Sequence, residues 1–516
     1  MANPLFATKP LSALTEGTAE AGDDAPGRLR RVLGPWQLTG IGVGSIIGAG
    51  IFVTTGAIAR QTAGPALLVS YIVAGTAAVF AALCYAEFAS MVPVAGSAYT
   101  YAYATLGEIF AWVIGWDLVL EYAVGAALVA NGWSGYLRSV LASFGITLPH
   151  AISGPVVQYD PGLGKLLTTG SLVNLPAVLI VVCLVALLVR GIRESARFNL
   201  AMVALKLAAV LFVIVVGAFY VDPRNWHPFA PFGWTGFGLF GKVLFGHTDA
   251  GGRPVGVLAG AALAFLAYFG FDAVSVQSEE ARRPRRDVPI AIVGSLVVCT
   301  ALYMGVIAVL TGMVPYDRLD IDAPLADAFA QVGLPWAKVL LAAAGVIGIT
   351  TVLLVLLLSL PRVLLAMARD GLLPSRFFAA IHPRFRTPHK ATLAVGLFVV
   401  SITAFLPIDV LLNLVNMGTI LAFLIVCLAV PIMRRTHPDA ERSFRVPWGP
   451  ILPICGVLSC ALLMFSLPSE NWLRLVIWFL IGLAIYLLYG RRHSVLAQAR
   501  ANAKTAAPDA VPGEPA

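Results

Sequence analysis

The sequence predicts an all-α polytopic membrane protein of about twelve transmembrane helices. Three observations carry this expectation. Of 516 residues, 59% are hydrophobic and only 12% charged, with a mean hydropathy of +0.85. A soluble domain needs more polar surface, because much of a folded chain's area faces water. Apolar runs recur along the chain, each long enough to cross a hydrocarbon core of ~30 Å, which takes ~20 helical residues. Lys and Arg, finally, alternate in abundance between successive connections.

The runs read as spans at 36–60, 64–92, 105–138, 172–190, 198–220, 256–280, 288–314, 336–367, 388–406, 408–433, 450–467 and 471–490. Counting basic residues on alternate sides tests the assignment. Twenty-five fall on the side of residue 1 and nine on the other, and Lys206, inside a span, is the one assigned to neither. That asymmetry places both termini in the cytoplasm and the chain, multi-pass, in a plasma or inner cell membrane. Residues 1–35 are polar, show no secretory leader, and are expected to form a disordered cytoplasmic tail; 491–516 form a second. The connections 139–171 and 221–255, rich in Gly, Pro and aromatics, are expected to cap the outer mouth. The inner connection 368–387 reads as a structured turn.

Several function classes fall away. A net charge of +8 suggests a nucleic-acid partner, but the basic residues mark topology rather than one face, so none is expected. The six Cys lack C-x-x-C spacing, and the seven His show no metal spacing. No H-E-x-x-H or G-x-S-x-G is present, which argues against an enzyme. No cofactor is expected, and no protein partner can be named.

The first span carries Gly40, Gly42, Gly44, Gly48 and Gly50 within eleven residues. Each Gly costs ~1 kcal/mol against Ala in a helix interior, so unwinding here is cheap. An unwound segment survives in a membrane only where it is buried in protein or lines a wet cavity. Its freed N–H groups, at the start of a half-helix, suit a carboxylate. Close helix packing is the alternative reading, since Gly40, Gly44 and Gly48 lie four apart. The sixth span places Gly270 and Asp272 inside the apolar stretch Phe265–Leu266–Ala267–Tyr268–Phe269–Gly270–Phe271–Asp272. Paired interruptions at corresponding positions of two halves point to an inverted-repeat transporter, and they suit alternating access better than a channel.

The stretches Gly42 to Gly56, Tyr85 to Phe88, Pro93 to Tyr99, Phe269 to Asp272, Pro361–Arg362 and Ala366 to Pro374 resemble the amino acid–polyamine–organocation (APC) superfamily. Within it the chain, over roughly 32–490, is similar to the bacterial cationic amino acid transporter branch. The resemblance implies a LeuT-like fold for a single transporter domain at 36–490: repeats at 36–220 and 256–433, then two additional helices at 450–490. It implies a substrate carboxylate on backbone groups of Ile47, Gly48, Ala49 and Gly50. It implies a substrate amino group on carbonyls of Leu266, Ala267 and Phe269. Phe265, Gly270, Glu121 and Ile349 fall at the pocket or gate. A branched Ile349 would favour small or medium neutral amino acids. Cationic amino acids, polyamines and a nutrient-sensing receptor remain alternatives.

Lys206 lies nine residues past Arg197, at ~1.5 Å per residue some 13 Å into the core. A Lys there costs about 2.5–3.5 kcal/mol, and such groups mark ion pathways. Relatives that use protons carry a Lys on span 5, so the resemblance implies proton coupling by Lys206, bridging spans 1 and 5. A structural ion pair is the alternative. Asp117 and Glu121 share one face of span 3, with roles that are either structural or functional. Glu87 is placed to pair with loop arginines, and Asp272 to stabilise the second interruption. Glu279 and Glu280, with arginines 282–286, read first as a solvated loop and then as a gate.

Overall fold

A computed structural model describes residues 8, 33–91, 97–160, 162–191, 196–239, 242–271, 274 and 281–498. Asp272, Glu279 and Glu280 lie outside the described residues, as do most of the two tails. Among the described residues, seven helices are long and apolar enough to cross a membrane, and four shorter apolar helices accompany them.

The first span is interrupted. Helix α1 (Pro35–Ile46) opens with proline at its first position, where a missing N–H costs nothing. It stops at Ile47, and a new short helix α2 (Ala49–Phe52) starts after Gly48. Helix α3 (Thr54–Ile58) then runs into one wide π turn at Ala59–Ala63. Helix α4 (Leu67–Met91) is the second span. A separate helix α5 (Ser97–Thr105) precedes α6 (Glu108–Ser143), and α7 (Leu175–Arg190) and α8 (Ala196–Gly217) complete the first half. The sequence gives no periodic signal for α5, which lies in the expected connection before span 3.

The sixth span is interrupted as well, and residues 272–273 and 275–280 of the expected 256–280 lie outside the described residues. Its helix α9 (Val257–Ala264) tightens into a 3-10 turn at Phe265–Tyr268, and the chain leaves helical geometry at Phe269. Gly270 sits at φ +108°, a conformation that Cβ-bearing residues avoid. Helix α10 (Pro284–Met313) follows, then a short α11 (Pro324–Gln331) inside an expected loop. Helices α12 (Pro335–Arg369), α13 (Ser375–Phe378), α14 (His389–Phe405) and α15 (Ile408–Thr436) come next. Helices α16 (Ile451–Phe465), α17 (Ser469–Ile485) and α18 (Arg491–His493) close the described chain.

The all-α expectation needs one small amendment. The two long connections carry three hairpins, β1 (Val157–Asp160) with β2 (Lys165–Thr168), β3 (Phe237–Leu239) with β4 (Lys242–Phe245), and β5 (His247–Thr248) with β6 (Pro254–Val255). The first and the third are joined to each other, because the Tyr159 hydroxyl donates to Asp249 at 2.7 Å and Arg253 stacks 3.4 Å above the Tyr159 ring. Arg253 also pairs with Glu470 at the start of α17 (3.1 Å).

The most extensive helix contacts join α6 to α12 and α4 to α10. Glu87 on α4 is almost fully buried. It accepts from Arg434 Nε (2.9 Å) and Nη2 (2.5 Å) and from the Val446 N–H (2.8 Å), with Arg442 3.6 Å away. A buried carboxylate needs such saturation to be tolerated. The pairing expected for Glu87 is present, and it ties α4 to the end of α15.

Candidate functional site

The two interruptions meet in the middle of the bundle. A Cβ on Gly50 would collide with the Ala267 backbone, and one on Gly270 would come within 2.8 Å of the Ser45 carbonyl oxygen. Glycine at these two positions lets the unwound segments touch backbone to backbone. The four-residue glycine spacing also serves packing. Val203 of α8 fills the space beside Gly44, and Val352 of α12 the space beside Gly48.

Breaking a helix orphans carbonyls as well as N–H groups, and burial demands partners for them. Two tyrosines act as such partners, and a third ties one of them in place. Tyr71 donates to the Gly50 carbonyl at 2.7 Å. Tyr303 lies between the Ile46 carbonyl (2.8 Å) and the Ala267 carbonyl (3.0 Å), joining the two breaks through one hydroxyl. Tyr268 donates to the Tyr71 carbonyl at 2.8 Å. The three rings pack together with centroids 5.7–6.1 Å apart. On the other side, Tyr136 of α6 donates to Phe52 at 2.5 Å. Sequence reasoning missed all four. The usable signal was the hydroxyl itself, since a Tyr buried in an apolar helix needs a hydrogen-bond partner.

The N–H groups are treated differently. Ile51 and Phe52 donate back to the Gly48 carbonyl at 3.2 and 3.1 Å. Among the described residues, the N–H groups of Gly48, Ala49 and Gly50 meet no backbone acceptor outside their helix. They form the start of a half-helix, and Ile47, Gly48, Ala49 and Gly50 are all buried. At the second break, the Leu266 carbonyl accepts from Phe269 N (3.0 Å) and the Ala267 carbonyl from Tyr303. Each keeps a second lone pair. Tyr122 of α6 packs edge-on against Phe269 at 5.7 Å.

Lys206 is 3% exposed and donates from Nζ to the Gly44 carbonyl at 2.9 Å, in the last turn of α1 before the break. Its stem crosses Gly348 of α12, where a Cβ would stand 3.2 Å from Cγ. The ammonium therefore connects α8 to α1 through a carbonyl, not a carboxylate. Glu121 is buried on α6, one turn from Asp117. Neither Asp117 carboxyl oxygen has a hydrogen-bond partner among the described residues. Phe265 is fully buried and its ring faces Phe423 of α15 at 5.6 Å, within an aromatic cluster that includes Phe271 and Tyr85. Ile349 is also fully buried on α12, but the α12 side chain against Gly48 is Val352.

Beyond the π turn, Arg60 lines clefts of ≈ 740 and ≈ 290 Å³ beneath the hairpins. Arg138 at the end of α6 pairs with Asp322 at 2.6 Å. Burial, and then the Asp322 charge, push the neighbouring Asp320 carboxyl above the ordinary range.

An amino acid permease family profile matches residues 33–488. The methylthioribose transporter of Bacillus subtilis (strain 168) is 43% identical over 95% of this chain and 99% of its own. The branched-chain amino acid permease BcaP of the same organism is 44% identical over 91% and 95%. Human cationic amino acid transporter 4 is 40% identical over 79% of this chain and 60% of its own. With a profile that spans nearly the whole described bundle and relatives this similar end to end, the chain belongs to the amino acid permease family of the APC superfamily, a multi-pass membrane transporter rather than an enzyme.

Proposed function

We propose that this transporter carries neutral amino acids inward with a proton, by alternating access around the two interruptions, in a plasma membrane with both termini cytoplasmic. The observation that carries the reading is the face-to-face contact of the breaks at Gly50–Ala267 and Gly270–Ser45. That contact brings the Gly48–Gly50 segment, whose N–H groups meet no backbone acceptor outside their helix among the described residues, beside the 266–269 turn. Donors at a half-helix start suit a carboxylate, and turn carbonyls suit an ammonium. Both contacts are made by backbone, so they select the α-amino acid group and leave the side chain to Val352, Phe269 and Tyr122. These are apolar or aromatic, which supports neutral over cationic substrates. In this reading Lys206 holds α1 through Gly44 while charged and releases it when neutral, so that a proton accompanies each closure.

Proteoliposome uptake across an amino-acid panel, with and without an inward proton gradient, tests this. Leucine, valine or alanine should accumulate under the gradient, and arginine should not. Transport of arginine comparable to alanine would overturn the substrate reading. A second reading comes from the 43% identity to a transporter named for methylthioribose, a sugar without carboxylate or ammonium. The same panel separates the two, since methylthioribose uptake undiminished by excess leucine would favour it.

A further inference from the structure

At the end of the bundle where α7 and α12 finish, five arginines surround one cleft. Arg190 ends α7, Arg362 and Arg369 lie on the last turns of α12, and Arg384 and Arg386 come from the connection to α14. The cleft measures ≈ 580 Å³. Among the described residues, no carboxylate pairs with Arg190, Arg369, Arg384 or Arg386. Topology alone explains arginines at this end of the helices. It does not explain why so many converge on one cavity.

The connection is built to hold them. His382 accepts from the N–H groups of Arg384 and Phe385 through Nδ1 (3.2 Å each), and its own N–H donates to the Thr387 carbonyl at 2.8 Å. Arg386 returns an N–H to the His382 carbonyl at 2.9 Å, with φ at +55°. Thr387 then ties the loop to α7 by donating to the Val189 carbonyl at 2.8 Å. The loop backbone is held by a set of hydrogen bonds, and Arg384 and Arg386 stand on it.

The floor is apolar. Leu358, Arg362, Leu365 and Arg369 recur at helical spacing, so leucines and arginines share one stripe of α12. Leu357 and Leu358 line the deeper part, and Ile381 is 46% exposed at the rim. Arg362 lies about 10 Å deeper along the helix than Arg369. A cluster of guanidiniums above an apolar groove fits a molecule that is anionic at one end and hydrocarbon at the other.

We infer that this cleft binds an anionic glycerophospholipid, its phosphate held by Arg190, Arg369, Arg384 and Arg386 and an acyl chain lying on Leu357, Leu358 and Leu365. Native mass spectrometry of the delipidated full chain tests it, with phosphatidylglycerol or phosphatidylcholine of matched acyl chains added. Wild type should retain phosphatidylglycerol over phosphatidylcholine. The double substitution Arg384→Gln with Arg386→Gln should lower phosphatidylglycerol occupancy by about tenfold or more, the scale expected for two surface arginines. Arg384→Lys with Arg386→Lys should restore much of it, which separates lost charge from a misfolded loop. Equal retention of the two lipids, or equal phosphatidylglycerol occupancy in wild type and the Gln pair, would overturn the inference. So would displacement of phosphatidylglycerol by millimolar inorganic phosphate, because the site would then recognise a free anion.

Discussion

The two interruptions are made from the same material and finished in opposite ways. At the first, Gly48 resets the backbone, and a new helix begins with its leading N–H groups unclaimed by backbone. At the second, the helix tightens into a 3-10 turn before it ends, and two of its three candidate carbonyls are already engaged. The first break is thus a donor surface and the second a braced acceptor. Tyr303 couples them, since one hydroxyl lies against carbonyls of both. Two half-helices joined in this way move together or lose a hydrogen bond. A transporter that alternates between two faces needs that kind of two-state element.

The sharpest way to break the comparison is to remove the group that acts on the first interruption alone. Lys206→Ala deletes the donor to Gly44 and should abolish pH-gradient-driven uptake, while counterflow exchange persists at a reduced rate. Full retention of gradient-driven uptake would refute the coupling role. The next largest effect falls on the second interruption. Gly270→Ala places a Cβ at φ +108° and 2.8 Å from the Ser45 oxygen, so either the turn or the α1 end must shift. Left-handed geometry alone costs ~1–2 kcal/mol, and the collision adds to it. Uptake should fall at least about tenfold, by the scale of 1.4 kcal/mol per decade, measured as initial rate per folded transporter. Wild-type rates in that variant would mean that the breaks do not have to touch.

Much of this arrangement was legible in the sequence, and the rest was hidden for a physical reason. Glycine density marks a cheap place to unwind in the first span, and Gly270 with Asp272 inside an apolar stretch marks the second, so both breaks could be located to within a few residues. The rise of an α-helix sufficed to bury Lys206 from its distance to Arg197. Glu87 was visible as a membrane-edge carboxylate in need of a cation. The tyrosines were not legible, because their value lies in partners far away along the chain; Tyr303 and Ile46 are 257 residues apart. Phe265 shows the same limit from the other side. Its position beside the break marks it for the pocket, and its ring packs on Phe423, a partner far along the chain that spacing does not reveal. Helices α5 and α11 are short and amid connections, where periodicity has too few turns to register.

A milder perturbation separates bracing from binding. Tyr303→Phe keeps the ring contacts with Tyr71 and Tyr268 but removes the shared hydroxyl. The one hydroxyl proton that the two buried carbonyls share is then lost, at about 1–3 kcal/mol for a group left unsatisfied. Thermal unfolding in detergent should shift downward. If the hydroxyl only braces, substrate should restore part of the loss by binding across the same two segments. An unchanged melting temperature would show that water replaces the hydroxyl and that the breaks are coupled by contact alone.

The smallest expected effect lies at the contact between the first interruption and α12. Val352 packs on Gly48, so Val352→Ala opens space beside the donor surface without touching a hydrogen bond. Even one methylene in an apolar pocket is worth about 1–3 kcal/mol of discrimination, and this substitution removes two methyl groups. The maximal rate should hardly move, because the backbone groups that take the zwitterion are untouched. What should move is KM, falling for bulkier substrates such as leucine or phenylalanine and rising for alanine. Ile349→Ala, on the same helix, provides the control. If its effect on side-chain preference exceeds that of Val352→Ala, the substrate side chain points along α12 toward Ile349, and the pocket wall has been assigned to the wrong residue.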